Sequence, residues 1–329
     1  MSKKQQKGRC LYIVWKGYQR RAEVLAPLFD ADIKFIPHLF RSKYLRPFDY
    51  FYKLMATVFY MIKTKPSYTI VQAPPHYAAL PPLLLGTPYI VDGHNGIFQS
   101  YWHKLPFFST IMEKSKAIIV HNSEFLTLFG KTYPQKPFIV VADPLQFIES
   151  KEVSRKKNQI LFVCSFDLDE PIDAIIDTIE RTPDYNFVIT ADPKKLPAAQ
   201  RHRLEACENL RLTGFLSTKE YHETLCSSSA AIALTNMVAT QQSGACEALS
   251  SDTPLIATRS TLSEKLFGDW AILVDNNADS IVGGIRNLTN ETLNLKSKRT
   301  DWNNAVQAGV SKVKSEVLGE SEPVPEEIH

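Results

Sequence analysis

Short apolar runs and amphipathic stretches alternate along almost the whole chain. Runs such as 10–15 and 117–120 are apolar at every position and end at polar residues. This pattern is typical of strands buried on both faces of a parallel sheet. The stretches between the runs place apolar residues at helical spacing, as Ile172, Ile175 and Ile179 do. The alternation therefore predicts an α/β fold with parallel sheets covered by helices.

The polar, charged segment 146–158 divides this alternation into two halves. It predicts a linker between an N-terminal domain, 1–145, and a C-terminal domain, 159–295, each doubly wound and Rossmann-like, facing each other across a cleft. A helix is predicted at 296–314, and the acidic, proline-containing segment 315–329 is predicted to be disordered. The predicted strands lie at 10–15, 33–37, 68–73, 88–91, 117–120, 138–141, 159–164, 186–190, 210–213, 230–235, 255–257 and 271–274.

The chain is organised around the stretch 241–258, which reads QQSGACEALSSDTPLIAT. Ser243 and Gly244 provide helix-start chemistry, and the Asp-Thr-Pro at 252–254 ends the helix before the next strand. In a parallel sheet such a helix begins at the carboxyl ends of the strands, where its free N–H groups favour a phosphate. Glu247, predicted in the first turn, could accept hydrogen bonds from both hydroxyls of a ribose. The alternative is that Glu247 only complements the helix dipole.

Residues 247–256, EALSSDTPLI, resemble the donor loop of GT-B glycosyltransferases, especially those of family 4. In that family a Glu is followed by Ala, a small residue and a Pro-containing strand. The resemblance implies a GT-B fold, in which 296–314 would cross back to the first domain. It also implies that this loop binds a nucleotide-diphosphate sugar, with Glu247 on the ribose and the helix start on the diphosphate.

The stretch departs from the family at one position of the donor loop. Retaining members usually carry another Glu eight residues before the first, and that position is Ala239 here. Gln241 and Gln242 are the candidates to contact the sugar in its place. The departure leaves the stereochemical outcome and the identity of the sugar open.

A second departure concerns the residues that hold the diphosphate. Family 4 enzymes usually place an Arg and a Lys after the first strands of the second domain, whereas 165–171 is acidic here and would repel phosphate. Lys194 and Lys195 are possible substitutes. In the first domain, Lys16 and Gly17 follow the first strand, where the GT-B resemblance implies contact with acceptor or donor phosphate. An exposed basic loop is the alternative for this pair.

A histidine and two polar neighbours follow the predicted strand 88–91. Asp92, His94 and Asn95 lie in the sequence DGHNG, whose glycines allow the backbone to turn tightly beside a ligand. The carboxyl end of a parallel strand is where ligands bind in open α/β sheets. These residues are therefore candidates for a site.

The motifs QAPP at 72–75 and IVDGHN at 90–95 resemble the N-terminal half of the dolichol-linked β-mannosyltransferases. The resemblance implies that His94 hydrogen-bonds the donor sugar or steadies charge at the transferring carbon. Asp92 would orient this histidine, or act as the base for the acceptor hydroxyl in an inverting mechanism. Asn95 is placed among the donor ligands.

The charge of the chain is distributed unevenly. Residues 1–150 carry 19 Lys and Arg against 9 Asp and Glu, whereas the remaining residues carry 19 against 26. A basic half indicates an anionic partner, such as a membrane surface or a phosphorylated acceptor. The segment 46–65 is an aromatic-rich predicted helix with basic flanks. It could lie in a membrane interface, or pack on the sheet with a rim of extended lysines; packing is the preferred interpretation.

The cysteines and the N-terminus indicate the compartment. Five scattered cysteines without a CxxC pair predict reduced thiols, with neither a disulfide frame nor a zinc site. The N-terminal segment lacks the apolar core of a signal peptide, so a cytoplasmic protein is expected, peripheral on the inner face of the membrane if it binds lipid. No metal requirement is predicted, and neither a cofactor nor a nucleic-acid partner is expected.

These observations predict a metal-independent hexosyltransferase. It would move a hexose from a nucleotide-diphosphate sugar to an acceptor hydroxyl, in glycan, polysaccharide or glycolipid biosynthesis, with a glycan or lipid-linked acceptor. Two alternatives stay open. Ala239 and the acidic 165–171 loop are consistent with a non-catalytic GT-B relative that binds or scaffolds, and a nucleotide-sugar epimerase would need no acceptor.

Overall fold

The computed structural model of the chain describes residues 10–40, 42–94, 97, 101–148, 154–289 and 294–318. The chain divides into two compact units. The first unit contains Met1–Pro144 and Trp302–His329, and the second contains Leu145–Asp301. Each unit is built on a six-stranded sheet whose paired strands are all parallel.

The sheet of the first unit is buried in its centre. Its strands are β1 Cys10–Val14, β2 Ala31–Phe35, β3 Tyr68–Ala73, β4 Tyr89–Gly93, β5 Ala117–Val120 and β6 Phe138–Val140. They lie in the order β2-β1-β3-β4-β5-β6, so the direction of winding reverses between β1 and β3. Every residue of β1, β3 and β4 is buried, which explains why β1 is an apolar run in the sequence.

Helices cover this sheet. They are α1 Arg20–Leu25, α2 Arg46–Thr64, α3 Leu80–Leu84, α4 Phe108–Lys114 and α5 Ser123–Phe129, with short 3₁₀ helices at Ala26–Phe29, Lys43–Leu45, His76–Ala79, Tyr101–Lys104 and Gly130–Thr132. The core combines Tyr12, Val14 and Ile70 from the strands with Ala22 and Leu25 from α1.

The second unit repeats the architecture. Its strands are β7 Lys156–Phe162, β8 Asn186–Ile189, β9 Leu210–Leu212, β10 Ser228–Ala233, β11 Leu255–Thr258 and β12 Ile272–Val274. They lie in the order β12-β11-β10-β7-β8-β9, and the winding reverses between β10 and β7. Phe162 of β7 lies beside Ile232 of β10 at the carboxyl ends of these two strands.

The helices of the second unit are α6 Ile172–Arg181, α7 Ala198–Glu205, α8 Thr218–Ser227, α9 Ser243–Ser250, α10 Thr261–Phe267 and α11 Ala278–Arg286, with a 3₁₀ helix at Pro193–Lys195. The predicted apolar face of α6 lies in the core, where Ile175 and Ile179 pack with Phe162 and Ile232. A final helix, α12, spans Lys296–Leu318. Its residues from Trp302 onward belong to the first unit, and Val306 and Val310 are part of that unit's core.

Two predicted boundaries are wrong in detail. Strand β7 begins at Lys156, inside the predicted linker 146–158, because the charged residues at its start project from the exposed end of a strand. The predicted disordered tail 315–329 begins inside α12, which continues to Leu318. The rest of that tail, from residue 319, lies outside the described residues.

The preferred interpretation of the segment 46–65 is wrong about which side of the helix is buried. The segment forms α2 as predicted, but the residues that it buries are Asp49, Lys53, Thr57 and Met61. Its phenylalanines are exposed instead of packed on the sheet. Among the described helices, none is both long enough and apolar enough to cross a membrane.

Candidate functional site

A pocket of about 320 Å³ lies in the second unit, at the carboxyl ends of β7 and β10. This is the point where the winding of the sheet reverses, the usual ligand position in open α/β sheets. The pocket wall is formed by three chain segments that leave the sheet edge together. Its lining residues are Val163, Cys164, Ser165, Asp169, Glu170, Ala233, Leu234, Thr235, Thr240, Gln241, Gln242, Ser243 and Gly244.

The N-terminus of α9 supplies one side of this pocket. Ser243 is the first helical residue and Gln242 is the N-cap residue, but no side chain caps the helix. The first N–H groups of a helix have no partner within the helix, and the dipole adds partial positive charge there. Gly244 is buried beside these groups in the pocket wall. The helix start therefore offers donors suited to an anion.

Two glutamine side chains face the pocket with unused hydrogen-bonding capacity. Gln242 is only 8% exposed, and within the described structure neither its Oε1 nor its Nε2 has a hydrogen-bond partner. Gln241 Nε2 donates to Cys246 Sγ at 3.1 Å, while its buried Oε1 has no partner among the described atoms. Buried amides that are left unpaired cost free energy. A polar ligand in the pocket would remove this cost.

Glu247 does not lie where the sequence placed it. It is the fifth residue of α9, so it falls in the second turn, because the helix begins at Ser243. It is half-buried and is not among the residues that line the pocket. Its Oε2 accepts a hydrogen bond from the hydroxyl of Tyr221 on α8. The carboxylate of Glu247 therefore lies one turn after the start of α9, and its position is fixed by a hydrogen bond from α8.

The acidic loop 165–171 is folded around its own carboxylates. Glu170 accepts hydrogen bonds from Ser165 N at 2.9 Å and Asp167 N at 3.1 Å, and burial raises the pKa of Glu170. Thr235 Oγ1 donates to Asp169 Oδ2 at 3.1 Å. Lys195, a predicted phosphate ligand, donates to Ser165 O at 2.9 Å. The loop thus contributes two hydrogen-bonded carboxylates, which are acceptors, to the lining of the pocket. The helix start contributes N–H donors and partial positive charge.

A second polar cluster lies in the first unit, around Asp92 at the end of β4. Asp92 is fully buried, and its carboxylate accepts hydrogen bonds from Arg21 Nε and Nη2 at 3.0–3.1 Å and from the Tyr12 hydroxyl at 2.6 Å. Arg21 also pairs with Asp143 and donates to Val141 O at 2.7 Å. Arg21 holds the pKa of Asp92 well below its usual range, although burial alone would raise it.

This geometry corrects both roles predicted for Asp92. A buried carboxylate with a strongly lowered pKa, bound by a guanidinium, is unsuited to accept a proton from an acceptor hydroxyl. Its Oδ2 lies 3.9 Å from His94 Nε2, beyond hydrogen-bond distance, so it does not orient the ring directly. Asp92 instead neutralises Arg21 inside the first unit.

His94 is oriented by an amide. Gln72 Nε2 lies 2.6 Å from His94 Nε2. The rings of His121 and His94 pack edge to face, with 4.6 Å between their centroids. Burial lowers the pKa of His94 to about 4 and that of His121 to about 3. Both rings are therefore neutral near pH 7. Because Gln72 donates to Nε2, the proton of neutral His94 lies on Nδ1, where it can serve as a donor.

The remaining predicted site residues make no described contact with the pocket at α9 or with the cluster around Asp92. Lys16 and Gly17 form an exposed turn after β1, and a methyl group at Gly17 would meet only Pro37, at 3.7 Å, so glycine is not required there. Asn95 lies outside the described residues. In the described part of the chain, no group of three or more His, Cys, Asp or Glu residues is placed to hold a metal ion.

The sequence reasoning missed four residues that shape these sites: Arg21, Tyr12, Gln72 and Tyr221. Tyr12 carried a usable signal, because a hydroxyl in an otherwise apolar buried strand needs a polar partner. Arg21 carried another, because it stands on the face of α1 that also carries Leu25. Nothing in the local sequence pairs Tyr221 with Glu247, which lies 26 residues away on another helix.

Comparison with solved structures finds a likeness over nearly the whole chain. A glycosyltransferase from Rickettsia africae aligns with a TM-score of 0.68 at 11% identity, covering 96% of this chain and 100% of its own. Sucrose-phosphate synthase from Thermosynechococcus elongatus aligns with a TM-score of 0.68 at 11% identity, covering 95% and 97%. UDP-GlcNAc 2-epimerase from Neisseria meningitidis, bound to UDP-GlcNAc, gives 0.57 at 10% identity, covering 95% and 100%.

No family model and no curated protein matches the chain. Structural likeness at such low identity establishes the fold alone, so membership of family 4 stays a prediction. The predicted architecture is confirmed in each half, since both units carry a parallel six-stranded sheet with a single reversal of winding. Together with neighbours that include both glycosyltransferases and UDP-GlcNAc 2-epimerases, these sheets identify the chain as a protein of the GT-B fold.

Proposed function

We propose that this chain transfers a hexose from a nucleotide-diphosphate sugar to an acceptor hydroxyl. The observation that carries the proposal is the pocket at the start of α9, where the buried amide of Gln242 has no partner among the described residues. An unpaired buried amide beside an uncapped helix start is a combination that a phosphorylated, polyhydroxylated ligand would satisfy.

The two sides of the pocket suit the two ends of such a donor. The α9 N-terminus would take the diphosphate, since its N–H groups and dipole favour negative charge. Asp169 and Glu170 would accept hydrogen bonds from hydroxyl groups, because carboxylates only accept. The acidic loop then discriminates between the ends of the ligand instead of excluding it. In this proposal the acidic loop binds hydroxyl groups of the ligand, whereas its sequence predicts that it repels phosphate.

For the first unit we assign His94 a hydrogen bond to the transferred sugar. Its lowered pKa keeps the ring neutral, so the Nδ1 proton is a fixed donor rather than a titrating acid. Gln72 sets the tautomer through its contact at 2.6 Å. The catalytic base is then sought among groups other than Asp92. Acceptors consistent with the basic first unit are glycans or lipid-linked sugars at a membrane surface.

The first test replaces Gln242 by methionine and titrates the protein with UDP, GDP and ADP in a calorimeter. We expect affinity for the preferred nucleotide to fall roughly tenfold, the loss of about one buried hydrogen-bonded group. We also expect the unliganded protein to be as stable as before or more stable, because the substitution removes a buried polar group that has no partner in the described structure.

Gln159→Met is the matched control. Gln159 is also buried, but its Nε2 donates to Ser227 Oγ at 3.3 Å and Ser228 Oγ at 3.2 Å, so its loss should lower stability and leave nucleotide affinity unchanged. Equal loss of stability in both variants, with unchanged affinity in Gln242→Met, would show that Gln242 has no ligand. Absence of binding by any nucleotide to the unmodified chain would favour the non-catalytic alternative.

The second test concerns Glu247 as the ribose ligand. Glu247→Ala should weaken nucleotide binding roughly tenfold, because a charged acceptor for two hydroxyls is lost. Tyr221→Phe removes the hydrogen bond to Glu247 but keeps the carboxylate, so its affinity should change much less. If Tyr221→Phe and Glu247→Ala weaken binding equally, Glu247 acts through α8 and not on the ribose. A 2′,3′-dideoxy nucleotide should be insensitive to Glu247→Ala.

Nucleotide-sugar epimerisation is the second candidate, because an epimerase bound to UDP-GlcNAc is among the whole-chain neighbours. The two functions differ in what they need. A transferase releases UDP from UDP-GlcNAc, or from another donor, only when an acceptor is present. An epimerase converts the donor alone, and the product is separated by anion-exchange chromatography. Conversion without acceptor would therefore replace the transferase proposal.

A further inference from the structure

The helix α2 turns its aromatic side outward. Phe48, Phe51, Met55, Phe59 and Ile62 recur at helical spacing and share one face of this 19-residue helix. We call these five residues the aromatic face. Phe48, Phe51, Phe59 and Ile62 are 67%, 65%, 65% and 54% exposed. A helix of a soluble protein normally directs such a stripe into the core, so this exposure requires an explanation.

Further exposed apolar side chains lie on the segments next to α2. Leu39, Tyr44 and Leu45 precede the helix and are exposed. Leu84 and Leu85, at the end of α3, are exposed as well, and α3 packs against α2. So many exposed apolar side chains on one helix and the segments next to it are unusual for a surface that has no partner.

The opposite side of α2 explains why the helix cannot simply rotate. Asp49, Lys53 and Thr57 are fully buried. Lys53 Nζ donates to Trp15 O at 2.9 Å, and Trp15 Nε1 donates to Thr57 Oγ1 at 3.0 Å. Asp49 accepts from Leu39 N at 2.8 Å and pairs with His38. Rotation would break this network and leave charges unpaired in the interior, which is strongly unfavourable.

The sequence of the segment that carries the aromatic face is predominantly basic. Between residues 39 and 65 the only acidic residue in the sequence is Asp49, and it is buried. Apart from the buried Lys53, the remaining charged residues of this segment are all basic: Arg41, Lys43, Arg46, Lys63 and Lys65. Lys63 and Lys65 are exposed at the C-terminal end of the helix. Such residues are attracted to an anionic lipid surface.

We propose that the aromatic face of α2 is a membrane-docking surface, which inserts its phenylalanines at the headgroup boundary of an anionic bilayer while the basic residues contact lipid phosphates. The helix would lie along the membrane plane over about 28 Å. The proposed occupant is lipid and not a second copy of the chain. A two-fold contact would bring Lys63, Lys65 and Arg46 of one copy close to the same positively charged residues of the other copy, and like charges repel.

The inference deepens the proposed function, since it names the surface that would bring the enzyme to a membrane-held acceptor, and to that extent rests on it. Its test needs neither donor nor acceptor. Failure to bind lipid would leave nucleotide binding untouched, and failure to bind nucleotide would leave the docking surface untouched. The two proposals are therefore separable.

The experiment measures co-sedimentation with sucrose-loaded vesicles. One set is phosphatidylcholine alone, and the other contains about 30 mol% phosphatidylglycerol. The unmodified chain should partition onto the anionic vesicles, and salt should weaken binding as the Debye length shortens. The double variant Phe51→Glu/Phe59→Glu should reduce partitioning by roughly tenfold or more, because it removes two inserted rings and adds two charges that anionic lipid repels.

The matched control is Leu128→Glu/Phe215→Glu, which makes the same change in charge at two exposed apolar positions outside α2. It should bind vesicles nearly as the unmodified chain does. Circular dichroism checks that both variants fold, as expected for exposed positions. Three results overturn the proposal: no binding to anionic vesicles, equal binding to vesicles of phosphatidylcholine alone, or equal loss in the control. A dimer that dissociates in Phe51→Glu/Phe59→Glu without vesicle binding would make the face a protein interface instead.

Discussion

Replacing Gly244 by alanine is expected to weaken nucleotide binding roughly thirtyfold, which corresponds to about 2 kcal/mol of binding free energy. A Cβ at this position would lie 2.8 Å from Val163 Cβ and Cγ1 and 3.1 Å from Ala233 Cβ. Both neighbours belong to the carboxyl ends of the strands beneath the pocket and cannot withdraw far. The start of α9 must therefore move outward, and the N–H groups proposed to bind the diphosphate move with it.

Two glycines in α11 make this prediction specific. At Gly284 a Cβ would meet Val274 Cγ1 at 2.8 Å, the same clash in a region away from the pocket, so Gly284→Ala should lower stability without loss of affinity. At Gly283 a Cβ would meet nothing within 4 Å, so Gly283→Ala should change neither, or stabilise the helix slightly. Calorimetry and thermal unfolding of the three variants give the comparison. Equal affinities in Gly244→Ala and Gly284→Ala would contradict a ligand site at α9.

Much of the fold could be predicted from the sequence because both sheets are parallel and covered on both faces. Strands of this kind are continuous apolar runs, and the predicted 68–73 and 117–120 match β3 and β5 residue for residue. Boundaries were less accurate where a strand extends past the core, as β7 does with its exposed Lys156 and Lys157. Hydrophobic periodicity indicates which residues are buried, so it does not predict the exposed residues at the end of a strand.

The orientation of α2 could not be predicted from periodicity in the same way. Its sequence contains a clear apolar stripe, which normally marks the buried side. The stripe faces outward because the opposite side makes a specific network with Trp15 and His38. Those partners lie 38 and 15 residues from Lys53 along the chain. Hydrophobic spacing shows how apolar one face of a helix is. It does not show which partners the polar residues on the opposite face can bind.

The candidate site shows a similar division. The start of α9 and the position of Gly244 follow from local sequence, and both lie in the pocket wall. The unpaired state of the Gln242 amide depends on what surrounds it in three dimensions. The assignment of Asp92 as a base failed for the same reason, since its partner Arg21 lies 71 residues earlier. A carboxylate's role depends on its counter-charge, which local sequence does not specify.

That pairing leads to the largest expected effect on stability. Arg21→Met should destabilise the first unit by about 3–5 kcal/mol, because Asp92 would stay buried without its counter-charge. Arg203→Met is the matched control. Arg203 also binds two carboxylates, Asp177 and Glu180, but it is solvent-exposed, so the same substitution should produce no resolvable change. Urea unfolding followed by circular dichroism gives the comparison. A similar loss in both variants would contradict a special role for the buried pair.

The pH dependence of stability should change in Arg21→Met, which separates this mechanism from a simple loss of packing. In the unmodified chain the folded pKa of Asp92 lies below its unfolded value of about 4. Its contribution is therefore complete above pH 4 and is lost as the pH falls through the folded pKa. Without Arg21, desolvation raises the folded pKa above the unfolded one, so the variant should gain stability as the pH falls from 7 towards 4. A variant whose stability instead stays parallel to that of the unmodified chain between pH 7 and pH 4 would show that Arg21 acts by packing its side chain and not by holding the charge of Asp92.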